Sequence, residues 1–294
     1  MLAESVVEDG GIVFGAAFDE SFSVVRHIAA SSVSETLAFR KSKYVQSAIN
    51  DSVRQTRQAL DAGRRVAFFG TPCQIAGLKA FLGKTTNGLL SVDLLCHGVP
   101  SPLLFKKYAE WMQKRLNGSL TSFDFRDKTH GWGVWVSGKT EKGELLHHGD
   151  EDPFVLWFLK HHSIRDSCLV CPFRGGRSEA DITVGDYWHV RPDWLDADIS
   201  KGVSKVLLRT DAGVDAFNRI RPRLIAKEQP ADRALLSGNP LPTPISRSRF
   251  LKEIRGADID ALIRRYPTRL DRLQEFARVF RAKAVGYIRS RLFG

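Results

Sequence analysis

The sequence predicts an α/β (α+β mixed) fold: a parallel or mixed sheet core with helices on its faces, an antiparallel strand insertion and a helical C-terminal tail. In the first 120 residues, short apolar runs that end at Gly or Pro alternate with helical patterns. From Ser122 onward, apolar and polar residues alternate, as is typical of antiparallel strands. Hydrophobic residues make up 43% of the 294 positions and charged residues 26%, which excludes a disordered or collagen-like chain.

The first part of the chain alternates predicted strands and helices. Strands are predicted over residues 11–18, 22–28, 65–69 and 89–95. Helices are predicted over residues 44–62, 73–82 and 102–116, with Ser101 as a natural N-cap of the last. In parallel sheets, ligands collect at the loops that follow the carboxyl ends of the strands. Residues 70–73 and 96–101 are two such loops, and both carry a cysteine.

The remainder of the chain divides into predicted strands, one helix and a tail. Strands are predicted over residues 123–127, 134–137, 144–147, 181–185 and 204–209, and a helix over 153–159. Three prolines between Asn239 and Pro244 indicate a linker. We therefore expect a core at residues 1–238, and a Pro-rich linker with a basic amphipathic helical tail at residues 239–294.

The positive charge is concentrated in the tail. Residues 247–294 contain thirteen Lys and Arg against five Asp and Glu, a net +8 of the chain's +11. Apolar residues from Leu270 to Ile288 recur at helical spacing, which predicts a basic amphipathic helix. Such a helix can rest on an anionic membrane surface, dock on a protein partner or pack on its own domain. Without an accompanying nucleic-acid motif, the charge does not favour a nucleic-acid ligand.

Neither end of the sequence indicates targeting or membrane insertion. The first ten residues carry acids and no basic region followed by an apolar stretch, so we expect no secretory signal. No apolar run approaches the ~20 residues that a membrane helix requires. The expected location is the cytoplasm, with peripheral contact at the inner membrane face as a further possibility that the basic tail allows.

Four cysteines, Cys73, Cys96, Cys168 and Cys171, are too few for a disulfide scaffold but sufficient for one metal or iron–sulfur site. Cys168 and Cys171 form a CxxC pair. Pro172 and the Gly175–Gly176 pair that follow favour a metal loop over a thioredoxin-type pair. A zinc site and four buried cysteines acting as small hydrophobes remain open, because spacing alone does not separate these uses.

Seven motifs occur in an order that resembles the coenzyme F420 hydrogenase/dehydrogenase beta-subunit family. They are Ser42–Ser47, Gly70–Gly77, Asp93–Ser101, Phe125–Lys128, Cys168–Cys171, Ala180–Trp188 and Gly202–Ser204. The resemblance implies a flavoprotein oxidoreductase that holds FAD beside one [4Fe-4S] cluster. It also implies electron transfer to coenzyme F420 or to another organic substrate, including substrates of bacterial polysaccharide biosynthesis. Residues 1–238 would then be the FAD/[4Fe-4S] core.

The resemblance assigns roles to individual residues. It implies cluster ligation by Cys73, Cys96, Cys168 and Cys171. It implies catalytic roles for His97 and Lys43, and cofactor contacts from Lys43, Gly70, Thr71, Pro72, Gln74, Gly98, Ser101, Arg177 and Asp186.

Several of these residues have an alternative, purely structural interpretation. Lys43 can neutralise a pyrophosphate or a reduced flavin, or be a solvated surface lysine. His97 can protonate reduced flavin or substrate, or only hydrogen-bond its own loop. Arg177, Asp181 and Asp186 are expected to order the cluster loop, and Tyr187 and Trp188 to shield the cofactor or simply pack.

The sequence also departs from the family pattern. Many relatives begin with a ferredoxin-like segment that bears further cysteines, whereas no cysteine precedes Cys73 here. We therefore expect an external electron donor, either a ferredoxin-like protein or a hydrogenase/dehydrogenase subunit. Relatives also carry a Ser-Gly-Gly stretch before the strand that follows Gly10, and its absence puts FAD affinity in question. The alternative function is a metal-stabilised, non-redox scaffold or binding protein in polysaccharide assembly.

Overall fold

Two sheets surrounded by helices form the part of the chain that the computed structural model describes, residues 1–188, 190–229 and 241–267. The strands are β1 (Ile12–Phe18), β2 (Val25–Ala30), β3 (Val66–Gly70), β4 (Leu89–Leu94), β5 (Ser122–Asp124), β6 (Trp135–Lys139), β7 (Glu144–His148), β8 (Ile182–Asp186) and β9 (Ser204–Leu208). The helices are α1 (Leu2–Glu8), α2 (Val33–Thr36), α3 (Ser52–Asp61), α4 (Pro72–Leu82), α5 (Pro102–Arg115), α6 (Pro153–Leu159), α7 (Asp166–Leu169), α8 (Asp211–Ile220), α9 (Arg247–Glu253) and α10 (Ile259–Arg265).

The larger sheet has six strands in the order β2-β1-β3-β4-β8-β9. Strands β1, β3, β4 and β8 are parallel, and β2 and β9 pair antiparallel at the two edges. The smaller sheet, β5-β6-β7, is antiparallel. The predicted α/β class, with a mixed sheet core and an antiparallel insertion, is confirmed.

The central strands are buried on both faces because helices cover them. Val66, Ala67 and Phe68 of β3 are at most 1% exposed. Val66 and Phe68 pack with Phe14 of β1 and Ile75 of α4, and Ala67 packs on the other face with Val6 of α1. Double burial explains why these strands appear in the sequence as continuous apolar runs rather than as an alternating pattern.

An aromatic core joins the smaller sheet to helices α5 and α6. Phe105, Phe123, Phe125 and Phe154 lie with ring centroids 4.8–5.7 Å apart. Tyr108 donates its hydroxyl to the buried carboxylate of Asp152. The same carboxylate accepts the Val155 N–H and so caps the first turn of α6, which satisfies a backbone donor that the helix leaves unpaired.

Two predicted elements begin later than expected. The helix predicted over 44–62 begins only at Ser52, because Ala48 pairs with the edge strand through an N–H···O bond in each direction, to His27 and Val25. The strand predicted over 22–28 begins at Val25, because the Asp19 carboxylate accepts the Ser23 and Val24 N–H groups and closes a turn. Helices α1 and α8 were not predicted.

The described part of the C-terminal segment packs into the aromatic core. Phe250, Ile254, Ile259 and Leu262 are each at most 3% exposed and belong to that core. The apolar positions from Leu270 to Ile288 lie outside the described residues, so the amphipathic helix and the division at residue 239 stay predictions. Within the described ranges, no helix is both long and apolar enough to cross a membrane.

Replacing Gly213 with Ala should destabilise the fold. Gly213 lies in the first turn of α8, and a Cβ there would be 2.3 Å from the carbonyl oxygen of Asp181. We expect a loss of about 1–3 kcal/mol in the free energy of unfolding, measured by urea titration.

Gly77, on the exposed side of α4, is the matched control, because a Cβ added there would have no atom within 4 Å. Gly77→Ala should stabilise by roughly 0.5–1 kcal/mol. Equal stability of the two variants would contradict this prediction.

Candidate functional site

The candidate site lies at the carboxyl edge of the central parallel strands. Strands β3 and β4 are adjacent, with Gly70 opposite Asp93. Cys73 follows β3 by three residues and Cys96 follows β4 by two. The segment before α7 reaches the same edge, where Arg165 donates its N–H to the Val99 carbonyl at 3.1 Å. Three separate segments therefore bring the four cysteines to one place.

Gly98 permits the close contact between two of these segments. Its φ is +130°, a conformation that favours glycine. A Cβ at Gly98 would lie 3.0 Å from the Ile164 side chain and 3.3 Å from the Cys168 Cβ. The loop after β4 can thus lie against the Cys168 segment only because residue 98 has no side chain. The predicted Gly98 position is at the site, where it provides close backbone approach.

The four cysteine sulfurs lie within electrostatic reach of one another. The pKa of Cys96 is raised to about 12, chiefly by burial and also by the other three cysteines, against the lowering effect of the Gly98 N–H that bonds its sulfur. Burial likewise raises the pKa of Cys168, whose sulfur accepts the Val99 N–H. Cys73 is exposed in the first turn of α4, with its sulfur 3.2 Å from the Thr71 hydroxyl. The raised pKa values of Cys96 and Cys168 mean that burial disfavours the thiolate form of these two residues.

The donor set fits an anionic thiolate–metal centre. Arg174 is 9% exposed, and its Nη2 donates to the carbonyls of His97 (3.0 Å) and Cys168 (3.3 Å). Its Nε has no hydrogen-bond partner among the described residues. A buried cation is costly unless it is paired. Thiolates that bind a metal carry the negative charge that this guanidinium requires.

The geometry does not match a single bound ion. Among the described residues, no three His, Cys, Asp or Glu side chains have the arrangement that one metal ion needs.

A chain of hydrogen bonds fixes the loop after β3. A carbonyl can only accept, so His27 Nε2 carries the hydrogen and donates it to the Phe69 carbonyl at 2.8 Å. The other ring nitrogen, Nδ1, then accepts a hydrogen bond from the Ser47 hydroxyl at 3.0 Å. Gln74 Nε2 donates to Ser47 Oγ at 2.9 Å, and Gln74 Oε1 accepts the Thr71 N–H at 2.9 Å. Burial lowers the pKa of His27, which keeps this arrangement neutral. Loops 42–47 and 70–74 are thereby held together.

Lys43 is half-buried at the same edge. Its amine donates to the carbonyls of Arg40 (2.7 Å) and Lys41 (3.3 Å), and lies 5.8 Å from the centre of the Phe18 ring. Burial lowers the pKa of Lys43 to about 8, against the opposing effect of Asp124. The side chain is thus not a freely solvated lysine, and its charge is sensitive to pH just above neutrality.

His97 belongs to a histidine pair. His161 Nδ1 donates a hydrogen bond to the Pro242 carbonyl at 2.8 Å. Its Nε2 therefore carries no hydrogen and accepts a hydrogen bond from His97 Nε2 at 3.0 Å. The pKa of His97 is lowered to about 4, chiefly by burial and also by its neighbours His161 and Arg174. His97 is therefore neutral at pH 7, and it is a hydrogen-bonding group there rather than a store of a proton.

The remaining predicted residues divide between the site and its surroundings. Pro72 begins α4, and a Cβ added at Gly70 would lie 3.2 Å from the Gln74 side chain. Ser101 occupies the N-cap position of α5 but its side chain makes no capping hydrogen bond. Arg177 is exposed, and its Nε donates to the Arg174 carbonyl at 3.1 Å.

Asp186 and Asp181 lie at opposite ends of β8. Asp186 Oδ2 accepts Arg126 Nη1 at 2.6 Å at the carboxyl end. Asp181 instead precedes the strand and accepts the Ser91 N–H and hydroxyl and the Thr210 hydroxyl. The expectation that Asp181 orders the cysteine loop is wrong, because its hydrogen bonds join strands and α8 at the far edge.

Sequence reasoning missed several residues that shape the site. Arg126, the second residue of the motif Phe125–Lys128, is buried. Its guanidinium lies 4.8 Å from the centre of the Trp188 ring, and that ring stacks on Trp132. Trp188 is 48% exposed, so it packs on one side and is open on another. His27, Ser47 and His161 were also missed. The one available signal was for Arg174, which lies between Cys171 and two glycines.

Comparisons with known proteins agree with the fold and the motif order. The family model that describes the C-terminal part of the coenzyme F420 hydrogenase/dehydrogenase beta subunit matches residues 63–234. A chain of the xenon-derivatised F420-reducing [NiFe] hydrogenase complex from Methanosarcina barkeri has a similar fold, with a TM-score of 0.52 and 16% identity. The match covers 86% of this chain and 80% of that chain. No curated protein matches this sequence.

Acidification should destabilise the protein partly through His97. Its pKa falls from 6.5 to about 4 on folding, so the unfolded chain binds the proton first. The contribution of neutral His97 to the free energy of unfolding is complete above pH 6.5 and is lost as the pH falls from 6.5 towards 4. We expect His97→Gln to reduce the loss of unfolding free energy between pH 7 and pH 5, measured by urea titration. An unchanged pH slope would contradict the assignment.

Proposed function

This chain belongs to the coenzyme F420 hydrogenase/dehydrogenase beta-subunit family, and from that premise we propose that it is an oxidoreductase subunit that moves electrons between a [4Fe-4S] cluster, FAD and an organic acceptor. The observation that carries the proposal is the convergence of all four cysteines beside the buried, uncompensated guanidinium of Arg174. When bound, the cluster supplies single electrons and FAD couples them to two-electron chemistry.

The cysteine loops supply the cluster ligands in this proposal. Cys96 and Cys168 each accept a backbone N–H at sulfur, from Gly98 and Val99 respectively. Hydrogen bonds to ligand sulfurs stabilise the thiolate form and tune a cluster's potential. Cys73 stands in the first turn of α4, at the carboxyl end of β3. These features support an iron–sulfur site over inert buried cysteines.

The loop from Gly70 to Gln74 is the proposed contact with FAD. Gly70 has no side chain and so allows close backbone approach beside Cys73, whereas the Thr71 and Gln74 N–H groups already have partners within the loop. Gln74 and Ser47 hold this loop against Lys43 and its neighbours. Lys43 would neutralise a phosphate or the reduced flavin. Gly98, Ser101, Arg177 and Asp186 complete the proposed cofactor contacts.

His97 is proposed to act near the reacting groups as a neutral hydrogen-bonding partner. With its Nε2 proton engaged by His161, its Nδ1 is the available acceptor. It can therefore receive a proton from reduced flavin or substrate, and a proton it delivers must first arrive at Nδ1. The acceptor is coenzyme F420 or another organic substrate, and the family resemblance extends this to substrates of bacterial polysaccharide biosynthesis.

We propose that a separate protein supplies the electrons. The similar chain from Methanosarcina barkeri is part of a hydrogenase complex. A ferredoxin-like protein or a hydrogenase/dehydrogenase subunit would play that role here. Contact with an anionic membrane surface or a protein partner through residues 247–294 remains a further proposal, although Arg247 and Phe250 are buried in the core and cannot contribute.

Anaerobic purification should yield a brown protein with about four irons and one FAD per chain. Cys168→Ser should remove most of the iron, because it deletes one of four ligands, whereas Ser167→Ala in the same exposed turn should retain it. Iron is measured by a colorimetric assay and FAD by absorbance after release. Zinc without flavin would favour the non-redox scaffold, and full iron in Cys168→Ser would refute its assignment as a ligand.

FAD affinity should fall as Lys43 loses its proton. Since the pKa of Lys43 is about 8, its ammonium is charged at pH 7 and mostly neutral at pH 9. We expect Kd for FAD to rise roughly tenfold over that range, the loss of one charge-assisted hydrogen bond. Lys43→Arg stays charged throughout and should remove this pH dependence, and Lys43→Met should bind weakly at both pH values. Fluorescence quenching of FAD measures Kd, and the same pH dependence in Lys43→Met would contradict the role.

A further inference from the structure

We propose that Arg174 is a positioning residue that holds three of the cysteines in place, and that its charge raises the reduction potential of the centre they bind. The inference rests on the proposed iron–sulfur function. Neither the motif order nor the expected site residues singled out Arg174, which lies three positions before the exposed Arg177.

Arg174 connects the cysteine segments through its side chain and its backbone. One nitrogen, Nη2, donates to the carbonyl of His97, next to Cys96, and to the carbonyl of Cys168. The Arg174 backbone N–H donates to the Cys171 carbonyl at 3.3 Å. A single residue thus joins the loop after β4 to both ends of the CxxC pair. Cys73 is held separately, by α4.

Its charge balance distinguishes Arg174 from the other buried arginines. Three arginines of the described residues are buried: Arg126, Arg174 and Arg247. Arg126 pairs with Asp186 and Arg247 with Asp166, each at 2.6 Å. Arg174 has no such ion pair with a carboxylate of the described residues, and its Nε has no partner there. The structure therefore places a desolvated cation where only carbonyl dipoles offset its charge.

An uncompensated cation at this position favours an anion beside it. Burial weakens solvent screening, so the charge acts strongly over short distances. A cluster with four thiolates is negatively charged and gains a further negative charge on reduction. The guanidinium therefore stabilises the reduced form more than the oxidised form, and raises the potential.

Arg177, in the same loop, does not have the properties of Arg174. It is exposed, and it contacts Arg174 only through the Arg174 carbonyl. Solvent screens its charge, so its effect on a buried centre is weaker. Of the two arginines in this loop, the buried one is the residue that combines hydrogen bonds to the cysteine segments with an unscreened charge.

The test separates position from charge. Arg174→Lys keeps the charge but replaces the planar fork with a compact ammonium, and Arg174→Gln removes the charge. Arg191→Gln, at an exposed arginine paired with Asp193 on the surface, is the control. The full chain is reconstituted anaerobically, and the midpoint potential is measured by a redox titration followed by electron paramagnetic resonance. Iron loss to a chelator gives the stability of the site.

We expect the potential to fall in Arg174→Gln and to stay near the wild-type value in Arg174→Lys and Arg191→Gln. Iron should leave both Arg174 variants roughly tenfold faster than the wild type, because a hydrogen bond to a charged group is lost. A wild-type potential in Arg174→Gln would overturn the charge role, and wild-type chelator resistance in both variants would overturn the positioning role.

The remaining outcomes of this experiment can be told apart. If Arg174→Gln does not fold by circular dichroism, Arg174→Met, which keeps the apolar stem, takes its place with the same expected fall in potential. If the wild-type chain itself binds no iron or flavin, the proposed function fails and this inference fails with it. If the wild type carries both and the Arg174 variants behave like it, only this inference is refuted.

Discussion

The close contact between the loop after β4 and the segment before α7 is the constraint on which the rest of the site depends. It requires Gly98, because any side chain there would meet Ile164 and Cys168. The other side of that segment is held by the last described helices, where Arg247 donates to the Ile164 carbonyl and pairs with Asp166. Helix α9, which packs in the aromatic core, is therefore joined directly to the segment that leads into Cys168.

Much of the fold could be predicted because its central strands are buried on both faces. Strands β3 and β4 appear as uninterrupted apolar runs, and their predicted bounds differ from the observed ones by one residue at an end. The Gly and Pro residues after each strand also placed both cysteines at the carboxyl edge, although only Cys96 lies in a loop and Cys73 lies in the first turn of α4. The local sequence pattern was sufficient to predict an element wherever a local feature, such as a glycine or a helix cap, determined where that element ends.

Non-local contacts explain the failures. The spacing of Val45, Ile49 and Val53 suits a helix, but backbone hydrogen bonds between Ala48 and the edge strand delay the helix until Ser52. Asp181 lies in a cysteine-adjacent motif, yet its partners come from β4 and α8. The burial of Arg174 depends on carbonyls that the chain supplies from residues 97 and 168. Hydropathy assigns such an arginine to the surface, because it cannot anticipate those acceptors.

The unequal exposure of the cysteines implies an order of damage by air. Cys96 is enclosed, and its raised pKa keeps the thiol protonated, so oxidants attack it slowly. Cys73 is exposed, and Val170, between the two cysteines of the CxxC pair, is 73% exposed. Among the four, only Cys73 is exposed, so sulfenic acid or a disulfide would form first at Cys73, while Cys96 stays intact. Aerobically purified protein would then lack a complete ligand set for a chemical reason, whatever metal is offered to it, and would recover it on treatment with a thiol reductant only if oxidation had stopped at those reversible stages.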